Sequence, residues 1–329
     1  MERGLEYIGE GVDRLITLDV RARGIIYDLY GAARELARGP VALEAAKSVS
    51  DTVRNGDAVI ITTGFIVLPQ RIQETDGPLG AAALARALSK IFGARPILVI
   101  EDQSKAIMAS TLRALGIDAK MEGNRSEGDA NGSALLLGFP LGLEEAEEEA
   151  ERILIKFNPS LVVAIEKAGR NVKGEYHTMR GINISPFHAK IEPLIERARD
   201  RGALTIGIGD GGNEVGMGNI KSAVEKLVPY AKACQCPCGG GIAAESKVDK
   251  LVVASISNWG AYGIEACIAA LTGRKEALHT PEDEEEMLKG SVSAGAVDGV
   301  TGKPQPSVDG VPMKVHSSIV RILEGFIDK

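Results

Sequence analysis

The stretch that decides the fold is Gly207-Ile-Gly-Asp-Gly-Gly-Asn-Glu-Val-Gly-Met-Gly-Asn219. The apolar run 203–208 that leads into it has the composition of a buried strand, and residues 220–230 after it have that of a helix. Its six glycines let the backbone turn tightly and approach a ligand closely. Because open α/β sheets bind ligands where a strand ends and a helix begins, this stretch predicts both the fold class and the place of the site.

From residue 57 onward, apolar runs of strand length alternate with amphipathic segments of helix length. Such alternation is typical of a parallel sheet covered by helices on both faces. We therefore predict an α/β, Rossmann-like fold with a mostly parallel sheet and helices on both faces. The predicted strands are 58–62, 96–100, 117–121, 134–137, 160–165, 203–208 and 250–255. The predicted helices are 79–92, 104–115, 143–157, 188–201, 219–227, 259–271, 281–289 and 313–327.

Residues 1–55 are predicted to form an N-terminal helical segment packed on an α/β domain of residues 56–329. Helical apolar spacing covers 5–20, 22–36 and 42–53, and Pro40 separates the last two as a helix breaker. This segment contains no chemical motif. The sequence therefore predicts a structural cap or an oligomer contact here, rather than part of the site.

Composition narrows the class of protein. The 329 residues are 44% hydrophobic and 25% charged, and the net charge is −7, which argues against a nucleic-acid-binding surface and suits cation binding. No apolar run reaches the ~18 residues of a membrane span, and the acidic N-terminus does not resemble a signal peptide. We expect a cytoplasmic homo-oligomer that binds a small acidic molecule, with neither nucleic acid nor a membrane as partner.

Three of the four cysteines alternate along a short segment: Cys234, Cys236 and Cys238, with Cys267 apart. This spacing differs from the C-x2-C of a zinc knuckle, although a strand would place all three on one face. The simpler interpretation is reduced structural thiols. A redox or soft-metal role is the alternative.

Polar side chains follow five predicted strand ends, which lie along one edge of a parallel sheet. Thr63 and Gly64 follow the first strand and are candidates for binding substrate. Farther along, Glu74 and Asp76 are candidate cation ligands, although Asp76 could equally cap the next helix. After the second strand, the Glu101 carboxylate could line the cleft or cap the helix 104–115, and capping is the favoured interpretation.

Residues 166–180 are unusually rich in groups that bind anions or move protons. Arginine and lysine hold carboxylate or phosphate groups, and histidine exchanges a proton near neutral pH. The candidates in this segment are Glu166 for a cation, Arg170, Asn171 and Arg180 for substrate, and Lys167 and His177 for catalysis.

The glycine-rich stretch itself carries Asp210, Asn213 and Glu214, which offer the oxygen atoms that hard divalent cations prefer. Gly211 and Gly212 allow a substrate to approach the backbone. A dinucleotide-binding turn is disfavoured because carboxylates at this place repel a pyrophosphate, and no Walker motif occurs. We expect a Mg or Mn ion, and neither NAD nor PLP. The candidate metal ligands are Glu74, Asp76, Glu166, Asp210, Asn213 and Glu214.

Two further turns carry polar groups. Asn258, after the 250–255 strand, is a candidate substrate ligand that could also cap the helix beginning near Trp259. Asp298 and Asp309 are each followed by Gly-Val, which predicts either two Asp-Gly turns or two carboxylates on a substrate loop.

Five motifs, in matching order from about residue 55 to about residue 312, resemble those of the D-glutamate cyclase family. The motifs are Glu74-Thr-Asp-Gly-Pro-Leu-Gly80, Glu166-Lys-Ala-Gly-Arg-Asn171, Tyr176-His-Thr-Met-Arg-Gly181, Gly209-Asp-Gly-Gly-Asn-Glu-Val-Gly-Met-Gly218 and Ser257-Asn-Trp-Gly-Ala-Tyr262. The resemblance implies a lyase that closes D-glutamate to 5-oxo-D-proline with loss of water.

The expected chemistry is an attack by the substrate amine on its own γ-carboxyl carbon. A cation polarises that carboxylate, Arg170 or Arg180 holds the α-carboxylate, and His177 moves the proton. The residues expected to take part in catalysis are Lys167, His177, Asp210 and Glu214. The alternatives are a Mg- or Mn-dependent phosphohydrolase acting on a small phosphate ester, and a protein that binds a metal or a small acid without turnover.

Overall fold

The computed structural model describes residues 2–122 and 132–327. Its strands are β1 (Ala58–Gly64), β2 (Ile66–Val67), β3 (Ile72–Gln73), β4 (Arg95–Ile100), β5 (Asp118–Met121), β6 (Ser133–Gly138), β7 (Leu161–Lys167), β8 (Leu204–Gly209), β9 (Lys250–Val253), β10 (Ser307–Val308) and β11 (Val311–Pro312). Its helices are α1 (Glu2–Ile16), α2 (Ile26–Ala37), α3 (Val41–Thr52), α4 (Pro78–Phe92), α5 (Lys105–Ala114), α6 (Leu143–Phe157), α7 (Glu192–Asp200), α8 (Lys221–Leu227), α9 (Ser257–Thr272), α10 (Pro281–Ser293) and α11 (Met313–Ile327).

A seven-stranded parallel sheet forms the centre of the described chain, in the order β5-β6-β4-β1-β7-β8-β9. The inner strands are buried runs of mostly β-branched and aliphatic side chains, with the polar residues of β1, β4 and β7 at the strand ends, as the composition predicts for a sheet covered on both faces. The predicted α/β class with N-terminal helices is confirmed. Two short antiparallel pairs, β2 with β3 and β10 with β11, lie outside this sheet.

Element ends differ from the prediction where local chemistry intervenes. The predicted helix 188–201 begins only at Glu192, and Pro193 lies in its first turn, where a missing N–H costs nothing. The predicted helix 5–20 ends at Ile16. There the Thr17 hydroxyl donates to the Asp13 carbonyl over 2.7 Å, and an irregular segment of residues 17–25 follows.

The strand order reverses between the neighbouring strands β1 and β7. After β1 the chain passes through α4 to β4 on one side, and after β7 it passes through α7 to β8 on the other. A crevice opens at the carboxyl ends of two such strands because their loops leave in opposite directions. Most of the predicted site residues lie at the carboxyl ends of β1 and β7 or in the segments that follow β1, β7 and β8.

The N-terminal helices pack directly on the sheet domain. Helices α1 and α3 lie against α9, and the apolar side chains of both regions form one continuous core. At the end of α1, the Ile16 carbonyl accepts a hydrogen bond of 2.8 Å from the Ser255 N–H, just before α9. This contact brings residues 17–25 to the rim of the sheet where the crevice lies. Within the described ranges, every helix is too short or too polar to span a bilayer.

Candidate active site at the carboxyl edge of the sheet

Three carboxylates meet at the crevice. Glu166 follows the core of β7, while Asp210 and Glu214 follow β8, and one oxygen of each lies within 4.8 Å of the others. All three are buried, with exposed fractions of 7%, 4% and 1%. The strand ends of the sheet therefore bring together three acidic side chains that are distant in the sequence. We call them the carboxylate trio.

Glu166 reaches the trio through a bulge in the sheet. Thr63 pairs with Ile165 and Gly64 pairs with Lys167, so Glu166 has no partner on β1. Its φ of 45° lies in the left-handed region, which is uncommon for a residue with a side chain. A bulge of this kind re-aims a side chain next to a site. The Glu166 carboxylate accepts a hydrogen bond from the Ser257 hydroxyl at the start of α9.

The glycine-rich stretch folds back onto its own strand. A Cβ at Gly207 would lie 2.5 Å from the Val215 carbonyl oxygen, so this approach requires glycine. The N–H groups of Gly211 and Gly212 donate to the Glu214 carboxylate over 2.8 and 2.6 Å. Successive backbone N–H groups of this kind form an anion-binding nest. Here the nest holds the chain's own carboxylate in the place that a phosphate would take.

Further carboxylates border the trio and make the crevice strongly acidic. Burial and repulsion from neighbouring carboxylates raise the pKa values of Glu74, Asp76 and Glu166 well above their ordinary range. The same two causes raise the pKa values of Glu214 and Asp309 to about 7 each. Such an excess of buried negative charge is relieved by protons or by a cation.

Two arginines from outside the sheet domain reach this acidic cluster. Arg21 Nη1 lies 3.1 Å from Asp210 Oδ2 and also contacts Asp309, and Arg23 Nη1 lies 2.6 Å from the same Asp210 oxygen. The expectation that residues 1–55 form no part of the site is therefore wrong. Both arginines lie in the short break Arg21-Ala-Arg-Gly24 between helices, and this pair of like charges was the available signal.

Asp76 and Asn258 cap each other's helices. The Asp76 carboxylate accepts from the Ser257 and Asn258 N–H groups at the start of α9, and Asn258 Oδ1 accepts from the Gly77 and Gly80 N–H groups at the start of α4. Both side chains are buried. Capping of the adjacent helix, one of the alternatives left open for each residue, gives way to capping of a helix about 180 positions away in sequence.

Lys167 lies beneath the crevice in a buried ion pair. Its Nζ is 2.6 Å from Glu101 Oε1 and 3.3 Å from the Thr63 carbonyl, and both Lys167 and Glu101 are almost fully buried. Burial alone would raise the pKa of Glu101, but the positive charge of Lys167 helps to hold that pKa below its ordinary value. The interpretation of Glu101 as a helix cap is wrong: the carboxylate binds Lys167 and the Ala189 N–H instead.

The residues after β7 that were expected to bind substrate contact other groups of the chain or solvent. Arg170 pairs with Glu196 of α7 over 2.7 Å, and Arg180 is exposed. Asn171 is buried, where its Nδ2 donates to the Gly241 carbonyl over 2.6 Å and its Oδ1 accepts from two backbone N–H groups. These side chains hold the loop in this structure.

Three further candidate site residues lie at the end of β1 or in the segment after β8: Thr63, Gly64 and Asn213. Gly64 has a φ of 118°, and the Thr63 hydroxyl is buried with no hydrogen-bond partner within residues 2–122 and 132–327. Asn213 Nδ2 donates to the His177 carbonyl over 2.8 Å, while its Oδ1 likewise lacks a partner in the described ranges. An unpaired buried oxygen beside Glu214 is a suitable metal or substrate ligand.

The aspartates of the two Asp-Gly-Val turns make different contacts. Asp298 accepts from the Val300, Thr301 and Gly310 N–H groups and so fixes its own loop. Asp309, with a φ of 56°, faces Arg21 at the acidic cluster. One is thus a turn carboxylate and the other a carboxylate of the crevice.

His177 lies with cysteines. Its Nε2 is 3.2 Å from Cys236 Sγ and 3.6 Å from Cys238 Sγ, and Cys234 completes the group, which we call the sulfur cluster. Burial lowers the pKa of His177 and so favours the neutral ring. Among the described residues, the carboxylate trio and the sulfur cluster are two separate sets of groups that could hold a metal ion.

Known proteins resemble this chain over most of its length. A family model described as D-glutamate cyclase-like, C-terminal, matches residues 12–324. Human mitochondrial D-glutamate cyclase is 29% identical over 352 aligned positions, which cover 96% of this chain and 51% of that protein. The chain thus spans about half the length of this curated relative.

One solved structure is similar only at a distance. The terminal R domain from the myxalamid PKS-NRPS biosynthetic pathway is 12% identical, and the match covers 65% of this chain and 71% of that domain with a TM-score of 0.22. That likeness supports no argument about function. The family match covers nearly the whole chain, and the five motifs lie at or near the crevice. The chain therefore belongs to the D-glutamate cyclase-like family, whose C-terminal region it matches.

Proposed function

We propose that this protein is a lyase that cyclises D-glutamate to 5-oxo-D-proline and releases water. The single observation that carries the proposal is the buried carboxylate trio with Arg21 and Arg23 at its edge. A dicarboxylic amino acid needs a cationic group for its carboxylate and nearby groups that can exchange protons. The crevice offers both within one small space.

Arg21 and Arg23 are the groups that we assign to the substrate α-carboxylate. Their side chains are each 19% exposed, so they can meet a ligand that enters the crevice. Guanidinium groups bind carboxylates in a planar, two-point geometry. We do not assign this role to Arg170, which is paired with Glu196, or to Arg180, which is exposed.

The reaction requires two protons to move from nitrogen to oxygen. The amine nitrogen forms a bond to the γ-carbon, the bond from that carbon to one carboxylate oxygen breaks, and the two protons lost by the ammonium leave with that oxygen as water. We assign the transfer to Glu214 and Glu166. The Glu214 pKa of about 7, raised by burial and by Asp210, suits an acid and base near neutral pH.

The chain's own contribution beyond proton transfer is to hold the substrate folded. Well-oriented intramolecular reactions gain on the order of 7–11 kcal/mol from such positioning. The donor set also fits a Mg or Mn ion, because three carboxylates and the unpaired Asn213 Oδ1 are hard oxygen ligands. When bound there, such an ion supplies polarisation of the γ-carboxylate.

The test is to incubate the purified protein with D-glutamate, with and without added Mn²⁺, and to follow the product by mass spectrometry and NMR. We expect loss of one water and the appearance of 5-oxo-D-proline, and L-glutamate is the matched control. The absence of any dehydrated product under both conditions would contradict the proposal.

Parallel assays separate the two alternatives. Hydrolysis of a chromogenic phosphate ester that depends on Mn²⁺ would favour the phosphohydrolase, although the anion nest is filled by Glu214. Thermal stabilisation by Mn²⁺ or D-glutamate without turnover would favour a binding protein. A cytoplasmic location and a homo-oligomeric state stay predictions of the sequence.

A further inference from the structure

The sulfur cluster brings four ligand atoms to the close spacing of a metal site. Cys234 Sγ lies 3.4 Å from Cys236 Sγ and 3.3 Å from Cys238 Sγ, and His177 Nε2 lies 3.2 and 3.6 Å from the last two. A tetrahedral zinc ion with three sulfur ligands and one nitrogen ligand requires edges of about 3.8 Å between sulfurs and about 3.6 Å between sulfur and nitrogen. Four of the six separations thus lie within about 0.5 Å of these edges, and all four ligand atoms lie within 4.8 Å of one another.

The chemistry of the ligands selects the metal. Three thiols and one imidazole are soft or borderline ligands, which favour zinc over the hard cations that suit the carboxylate trio. We propose that His177, Cys234, Cys236 and Cys238 bind one Zn²⁺ ion. Because four protein ligands fill the coordination sphere, the site is structural rather than catalytic.

Groups around the cluster suit thiolate ligands. The Gly240 N–H and Asn171 Nδ2 lie 3.4 and 3.6 Å from Cys238 Sγ and point hydrogen-bond donors at it. Donors to the sulfur atoms stabilise the negative charge that thiolates bring to a zinc site. Asn171 also donates to the Gly241 carbonyl, so the same side chain fixes the loop that carries the third cysteine.

A metal here would join two loops that flank the proposed active site. His177 belongs to the segment after β7, whereas the cysteines belong to the segment after α8, and the Gln235 N–H already donates to the Gly181 carbonyl over 2.9 Å. The His177 carbonyl accepts from Asn213, the neighbour of Glu214. The zinc ion therefore acts as a positioning element for the glycine-rich stretch, and it takes no part in proton transfer.

A disulfide within the cluster is the competing state. The sulfur separations of 3.3 and 3.4 Å exceed the 2.03–2.05 Å of a bond, and all the cysteines are free thiols in this structure. The cluster is only half-buried, so both an ion and an oxidant can reach it. The test must therefore count metal and free thiols together.

The first measurement is the metal content of the full-length protein, purified without chelator. We expect about one zinc per chain, with an X-ray absorption spectrum showing three sulfur ligands at about 2.3 Å and one nitrogen at about 2.0 Å. A zinc-free protein that also fails to bind added Zn²⁺ when its thiols are reduced would overturn the proposal. Two thiols lost to a disulfide in place of metal would also overturn it.

The second measurement compares matched variants. Cys236→Ser and His177→Ala should each lower the zinc retained through gel filtration at least tenfold, whereas Cys267→Ala, outside the cluster, should keep it. Glu214→Gln should keep zinc even if it abolishes turnover, which separates this proposal from the proposed activity. Equal zinc content in Cys236→Ser and Cys267→Ala would contradict the assignment.

A third measurement covers the case in which the cluster variants fail to fold. In the wild-type protein, a thiol reagent should find about three fewer reactive cysteines before zinc is removed than after, and adding Zn²⁺ back should restore protection. The melting temperature should fall on removal of zinc and recover on its return. Unchanged thiol reactivity and melting temperature would overturn the proposal.

Discussion

At the scale of single residues, the site depends on carboxylates that hold protons more tightly than usual. Glu214 has a pKa of about 7, raised by burial and by Asp210 from an ordinary 4.5, and Asp309 rises from 3.8 to about 7. Sequence reasoning placed Glu214 and Asp210 together because both follow one strand. The sequence does not reveal how deeply the two carboxylates are buried, because their burial depends on how segments distant in the sequence pack around them.

The raised pKa values predict how stability changes with pH. Between about pH 4.5 and pH 7 the folded chain holds protons that the unfolded chain has lost, so the free energy of unfolding falls as the pH rises through that range. Thermal unfolding in metal-free medium should show this fall for the wild type and a smaller one for Glu214→Gln. Identical pH profiles, or a wild-type profile that rises, would show that Glu214 is not the group responsible.

Glu166 shows what a sequence cannot reveal at this scale. Its identity as a candidate came from the polar segment after a strand, but its left-handed φ of 45° and the sheet bulge depend on pairing between β1 and β7. Likewise, His177 was a reasonable proton carrier by residue type. Its position beside Cys236 follows from a contact across 59 residues that spacing alone does not encode.

At the scale of elements, the sequence pattern predicted the seven strands of the main sheet and the α-helices of the described chain, but none of the four two-residue strands outside that sheet. The inner strands are apolar except near their ends, most of the helices are amphipathic, and these patterns are local. Helix ends were less accurate, as at Glu192, because proline and side-chain caps decide them. Caps supplied by distant residues, such as Asp76 on α9, lay beyond local reasoning altogether.

The reciprocal caps of α4 and α9 predict a large structural cost for one substitution. Asn258→Ala removes the acceptor for the Gly77 and Gly80 N–H groups and the donor to the Thr75 carbonyl, all of them buried. Unpaired buried groups of this kind should lower the free energy of unfolding by about 2–4 kcal/mol. Denaturant unfolding measures this loss of unfolding free energy, and the substitution Asn158→Gly at an exposed position is the control. Equal stability of the two variants would contradict the capping role.

At the scale of the whole molecule, the N-terminal helices complete the crevice. Helices α1 and α3 pack on α9, and the break after α1 delivers Arg21 and Arg23 to Asp210. The strand-end rule predicted that carboxylates distant in sequence meet at one edge of the parallel sheet, and Glu166, Asp210 and Glu214 do so. It gave no information about a segment outside the sheet, which is why these arginines were assigned to a cap or an oligomer contact.

The arrangement predicts that substrate affinity depends on the N-terminal segment. Arg21→Ala combined with Arg23→Ala should raise KM for D-glutamate at least ~10-fold, the scale of losing one charge-assisted hydrogen bond. The exposed Arg14→Ala on the same segment is the control and should leave KM unchanged. An unchanged KM in the double variant would remove these arginines from substrate binding.

The central claim is that one buried group of carboxylates converts D-glutamate. Its most direct test is the initial rate of 5-oxo-D-proline formation by the wild type, Asp210→Asn and Glu214→Gln, with exposed Asp102→Asn as control and circular dichroism to verify folding. We predict that the two crevice variants lose at least ~100-fold in kcat, the scale of one strong electrostatic contact, while the control keeps its rate. Folded crevice variants that turn over at the wild-type rate would contradict the claim.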